Sequence, residues 1–138
     1  MSYTMACLSP NVFGAVASVA GPEALVCESA QPVPVLHVHG VKDTVVPIEG
    51  RESEKSSMPK RSIRQTVEFW AKINQSESLV EGFRAPKTTM YRYTGGVDGN
   101  EVWYYRIDDW GHGWSKEKDG TGTDTGEVIW DFFNGYLR

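Results

Sequence analysis

The sequence predicts an α/β fold, with a mostly parallel, buried sheet flanked by helices and one added hairpin. Three observations carry that prediction. Two nearly continuous apolar runs, residues 13–20 and 33–39, each close on a glycine; this is the pattern of strands covered on both faces. Two other segments place apolar residues at helical spacing. The resulting order is strand, strand, helix, strand, helix, which layered α/β folds share. The 138 residues show no internal repeat and no low-complexity linker, so 1–138 reads as one domain.

The elements follow in order. Residues 1–8 are small and apolar and read as the tail of a helix, ended at Ser9-Pro10 because proline disfavours helix in the residue before it. FGAVASVA (13–20) reads as a strand buried on both faces and closed by Gly21-Pro22. VPVLHVH (33–39) reads as a second such strand, with Pro34 near its start, where a strand tolerates it. Ser57 and Pro59 supply helix-start signals, and Ile63, Val67, Trp70 and Ile73 then form one apolar stripe. Residues 74–87 read as loop. Segments 88–93 and 101–107, separated by the glycine-rich TGGVDGN, read as a hairpin with a longer loop. Residues 108–126 are polar and glycine-rich, and so long a loop in a compact domain is usually functional or disordered. Asp124 and Glu127 suggest a capping box ahead of a closing helix with Val128, Ile129, Phe132, Phe133, Tyr136 and Leu137 on one stripe.

Composition excludes some classes of function. A net charge of -4 lacks the basic face that nucleic acid demands. No apolar run reaches the length of a membrane span, and no signal-peptide pattern opens the chain. Two cysteines, Cys7 and Cys27, have no metal-ligand spacing. Their spacing leaves two alternatives open: buried free thiols, or one disulfide closing a short loop.

Chemistry in α/β folds gathers in loops just past the carboxyl ends of strands. Two such loops carry titratable residues. HGVKDTVVP (39–47) holds Asp43, and DDWGHGW (108–114) holds His112 between glycines and tryptophans. His37 and His39 are two apart in a strand and so share a face; with no third ligand evident, they read as buried strand histidines rather than a metal site. An aspartate after one strand and a histidine after a later one match the last two members of a Ser…Asp…His relay. The G-x-S-x-G elbow that carries the serine in that order is not found in the sequence.

The motifs in combination resemble the C-terminal half of secreted esterases of the α/β-hydrolase fold, the type-D feruloyl esterases and polyhydroxybutyrate-depolymerase-like enzymes. The similar stretches are MSYTMAC, FGAVASVAGP, PVPVLHVHGVKDTVVP, RQTVEFWAKIN, YRYTGGVDGNEVWYYRI, GHGW and IWDFF. They run in family order and cover nearly the whole chain. The resemblance implies a serine-type ester hydrolase with no cofactor and no metal, in which Asp43 is the relay acid and His112 the base. It implies a small or polymeric ester as substrate, a Cys7–Cys27 disulfide, and a secreted or periplasmic location. It further implies a truncated hydrolase, nearly inactive alone, whose elbow serine and part of whose oxyanion hole lie upstream of Met1. A sheet cut there would expose an edge through which a homodimer could form.

Trp110 stands where relatives tend to have glycine, and Ser115-Lys116 stands where they often have Pro-Gly. Both differences bear on the acyl pocket, and Trp110 and Trp114 are the candidate substrate-binding residues. The alternative is a non-catalytic module that binds carbohydrate or phenolic rings through Trp103, Trp110 and Trp114. A calcium site in KDGTGTDTG (118–126) lacks the loop pattern such sites need.

Overall fold

Eight principal elements order a computed structural model that describes residues 1–50 and 61–137. They are α1 (Ser2–Leu8), β1 (Val16–Val19), β2 (Val35–Gly40), α2 (Ile63–Ile73), β3 (Ser78–Ala85), β4 (Thr88–Thr94), β5 (Val102–Ile107) and α3 (Thr125–Asn134). One five-stranded sheet has the order β1-β2-β5-β4-β3. The α/β class is as expected, but the sheet is mixed rather than mostly parallel. β1–β2 and β2–β5 are parallel, whereas β5–β4 and β4–β3 are antiparallel and form the longer share of the ladder. The reason lies in the connections. A crossover separates β2 from β5, while β3, β4 and β5 are joined by short turns, and short turns force antiparallel neighbours.

β2 is buried along its whole length, because each face of the sheet carries its own core. Val35, Val102 and Tyr104 pack with Ile63, Val67 and Trp70 of α2 and with Tyr3 of α1. Leu36, Val38, Tyr105 and Ile107 pack on the other face with Phe132 of α3. Burying one such large side chain stabilises the fold by roughly 1.5–3 kcal/mol.

Two local expectations are corrected. The run 13–20 is not a strand covered on both faces. Only Val16–Val19 pair, with alternating burial, because β1 lies at the sheet edge and meets a neighbour on one side only. Residues 74–87 are not all loop, since β3 occupies Ser78–Ala85 as the opposite edge, with a register shift between Glu81 and Phe83. Its Leu79 and Val80 are exposed, so no buried face marks it in the sequence. The helix α2 is capped by Ser62, whose side chain accepts from Gln65 N while the Gln65 side chain accepts from Ser62 N; this is a capping box. The start signals Ser57 and Pro59 lie outside the described residues.

At α3, Asp124 accepts from the N–H groups of Gly126 and Glu127 and caps the helix, but among the described residues no return bond from the Glu127 side chain closes the expected box. Leu137, placed on the α3 stripe, is exposed. The cysteine alternatives resolve in favour of a Cys7–Cys27 disulfide, which ties α1 to the segment after β1. No helix among the described residues is long and apolar enough to cross a membrane.

Candidate active site

β2 and β5 run side by side and parallel, and both end at the same level, with Gly40 opposite Ile107. The loops that follow them carry Asp43 and His112, so adjacent strand ends bring together residues distant in sequence. The chain turns sharply after Gly40, with Asp43 N donating to Gly40 O at 3.2 Å. The returning loop crosses closely above this point. Lys42 N donates to Trp110 O at 2.8 Å, and a Cβ on residue 40 would overlap the carbonyl oxygens of Trp110 and Gly111. Glycine at 40 is therefore a steric requirement of the crossing. Lys42 and Asp109 join the two loops again by an ion pair at 2.6 Å.

Asp43 and His112 meet directly, with His112 Nδ1 2.9 Å from Asp43 Oδ2. The Asp43 side chain is fully buried, and that of His112 is 45% exposed. Asp43 Oδ1 accepts from Val45 N at 2.9 Å and from Val46 N at 2.8 Å. Burial alone would push the Asp43 carboxyl up. The Val46 N–H, the His112 ring and the Val45 N–H outweigh it and hold the carboxyl below its ordinary value. Asp43 is thus an anion at neutral pH and can only accept, which places a proton on His112 Nδ1. The lone pair of a neutral His112 then sits on Nε2. Among the described residues no hydrogen bond engages that nitrogen. A half-exposed imidazole, fixed in one tautomer by a buried carboxylate, can take a proton at Nε2 and return it.

His37 and His39 share the α1/α2 face of β2, as their spacing predicts, and both are buried. Their nitrogens are engaged elsewhere. His37 Nδ1 lies 2.6 Å from the Tyr3 hydroxyl, His37 Nε2 lies 3.0 Å from His39 Nδ1, and His39 Nε2 lies 2.8 Å from Val46 O. No group of metal-ligating side chains is found among the described residues. His39 Nε2 also lies 3.4 Å from Asp43 Oδ2. Sequence reasoning missed this contact and the Tyr3 contact. The four-residue spacing of His39 and Asp43 around a glycine turn was the one available signal for the first; Tyr3 gave none.

The tryptophans divide. Trp103 lies against Phe132 in the core, and its indole N–H donates to Glu101. Trp110 is partly buried and its Nε1 donates to Gly113 O at 3.2 Å. Trp114 is 59% exposed beside the His112 loop. The stretch after it is ordered by hydroxyls: Ser115 Oγ donates to Thr123 O, and Ser115 N donates to Thr125 Oγ1. These hydroxyls are occupied with one another, so the 118–126 segment is a bonded loop. Compared with known proteins, the chain matches no family profile and no curated protein sequence.

Proposed function

We propose that the chain is part of a serine-type carboxylic ester hydrolase and supplies its relay acid, Asp43, and base, His112. The observation that carries this reading is the buried Asp43 anion bonded to Nδ1 of a half-exposed His112. In such a reaction a serine hydroxyl gives its proton to His112 Nε2 as its oxygen attacks the ester carbonyl. The imidazolium is stabilised by Asp43 and returns the proton to the leaving alcohol, and water then cleaves the acyl-serine by the same two transfers. No described serine bonds to His112 Nε2. Because the sequence also has no G-x-S-x-G elbow, the reading takes the serine and the oxyanion hole from polypeptide outside these 138 residues and treats the chain alone as nearly inactive.

The substrate class proposed is a small or polymeric ester, of feruloyl, acetyl or polyester type, with no cofactor. Trp110 and Trp114, each two residues from His112 in the same loop, are the proposed substrate-binding residues. The disulfide supports a secreted or periplasmic location, since such bonds persist in oxidising compartments.

Hydrolysis of 4-nitrophenyl acetate tests the reading, using the chain alone and the chain extended through the coding sequence upstream of Met1. The extended form is expected to turn over, and the short form to stay near background. Silence of the extended form overturns the esterase assignment. Turnover by the short form that disappears in His112→Ala overturns the external serine.

A second reading, a carbohydrate- or phenolic-binding module, is favoured by the exposed indole of Trp114 alone, since Trp103 is committed to the core. Calorimetry against xylan fragments and ferulate separates the two. Binding that survives loss of both Asp43 and His112, but not of Trp114, supports the module.

A further inference from the structure

Two histidines address the same oxygen of Asp43, and only one of them faces solvent. His112 Nδ1 is 2.9 Å from Oδ2, and His39 Nε2 is 3.4 Å from it. We infer that His39 is a second positioning residue for Asp43, a neutral donor that fixes the Val46 carbonyl at 2.8 Å and with it the turn whose N–H groups hold the carboxylate.

The placement of every proton in the string follows from its ends. His39 Nε2 faces the Val46 carbonyl oxygen and the Asp43 carboxylate, and both can only accept. A proton must therefore sit on His39 Nε2. Burial holds the His39 pKa below its ordinary value, so the ring is neutral and Nδ1 is a lone pair. That lone pair must accept from His37 Nε2–H at 3.0 Å. His37 is more deeply buried and is held neutral in the same way, so its Nδ1 accepts from the Tyr3 hydroxyl at 2.6 Å. Three donors thus point one way, from α1 along β2 to the Val46 carbonyl beside the carboxylate. The reverse arrangement would aim a His39 lone pair at two acceptors.

This order has a use in the proposed relay, and to that extent the inference rests on the esterase reading. The Asp43 carboxylate is held by the Val45 and Val46 N–H groups on Oδ1 and by His112 on Oδ2, and the His39 bond to Val46 O fixes the turn that supplies those N–H groups. Its charge is also reserved. An imidazolium at His39 would form a buried ion pair with Asp43 and weaken its pull on His112. Burial keeps His39 neutral, so the proton released in the reaction settles on the exposed ring.

Nitrogen-15 labelling and long-range proton–nitrogen correlation of the imidazoles of the chain test this directly at neutral pH. Wild type is expected to show His37 and His39 as neutral Nε2–H tautomers and a downfield Nδ1 proton on His112. A His39 ring found as Nδ1–H, or as imidazolium, overturns the inference without any variant. His39→Gln keeps an N–H donor near the Nε2 position and is expected to retain the His112 Nδ1 signal, whereas His39→Phe is expected to lose it to exchange with water. An unchanged signal in a folded His39→Phe overturns the positioning role. If that variant does not fold, Tyr3→Phe decides: with the Val46 carbonyl still facing His39 Nε2, both rings are expected to stay Nε2–H and the His112 Nδ1 signal to persist, and a switch of His39 to Nδ1–H overturns the inference. None of these readouts needs turnover. Silence of the extended enzyme with the expected spectra would reject the esterase reading and leave the hydrogen-bond order standing.

Discussion

Three donors converge on one carboxylate at Asp43, and the consequences at the residue scale are chemical and thermodynamic. On the proposed esterase reading, Asp43→Asn in the extended chain is expected to lower kcat by about 10⁴-fold, because an amide can present a donor to His112 Nδ1 and invert its tautomer; steady-state ester hydrolysis checks this. The buried histidines set a pH dependence of stability. Unfolded, His37 and His39 titrate near 6.5, and the fold holds both below that value. Below 6.5 the unfolded chain therefore binds more protons than the folded one. Stability is expected to fall as pH drops from there towards the folded values, with a slope of at most about 2.7 kcal/mol per pH unit for two such groups. The Asp43 carboxyl, held low, adds a loss at more acidic pH, and Glu23, whose carboxyl burial holds up, opposes it in part. Urea midpoints measured between pH 7 and 5 check the sign; a flat profile would contradict it. Asp43 and His112 were legible in the sequence because strand-end loops rich in glycine advertise themselves. Their partners were not, because Tyr3 reaches His37 across 34 residues of chain, and only folding reveals that distance.

At the scale of elements, two loops cross above one glycine. Gly40→Ala forces a methyl group against the Trp110 and Gly111 carbonyls. It is expected to cost about 1–3 kcal/mol in chemical denaturation, as overpacking does, and to separate His112 from Asp43. Strands with two covered faces were readable, as β2 shows. The edges were not. β1 reads as a longer buried strand because apolar residues continue beyond its four paired positions. β3 hides because Leu79, Val80 and Glu81 all face water, and an edge strand needs no buried alternation to pair. The two helical stripes were legible from Trp70 and Phe132, each of which buries a large ring against the sheet.

For the whole molecule, two features can be probed from outside. Cys7–Cys27 spans 20 residues, and its loss by Cys7→Ser with Cys27→Ser is expected to cost about 3 kcal/mol; urea denaturation of the double variant against wild type measures it. The β1 edge, which no described strand pairs on its outer side, is the surface through which we expect two copies to associate. Light scattering at rising concentration checks this, and a strictly monomeric species would count against it. The fold class was readable from the order of elements. The mixed sheet was not, because pairing direction depends on which strands become neighbours. The Asp43–His112 contact joins positions 69 residues apart, whereas β3, β4 and β5 are successive neighbours linked by short turns. Local closures lose less chain entropy and are expected to form early, and the β2–β5 junction late. A half-folded molecule would then hold a three-strand meander and no acid–base pair. The capacity for proton transfer would arrive in a single step with the final closure, so a population losing its fold should lose it molecule by molecule, with no weakened intermediate.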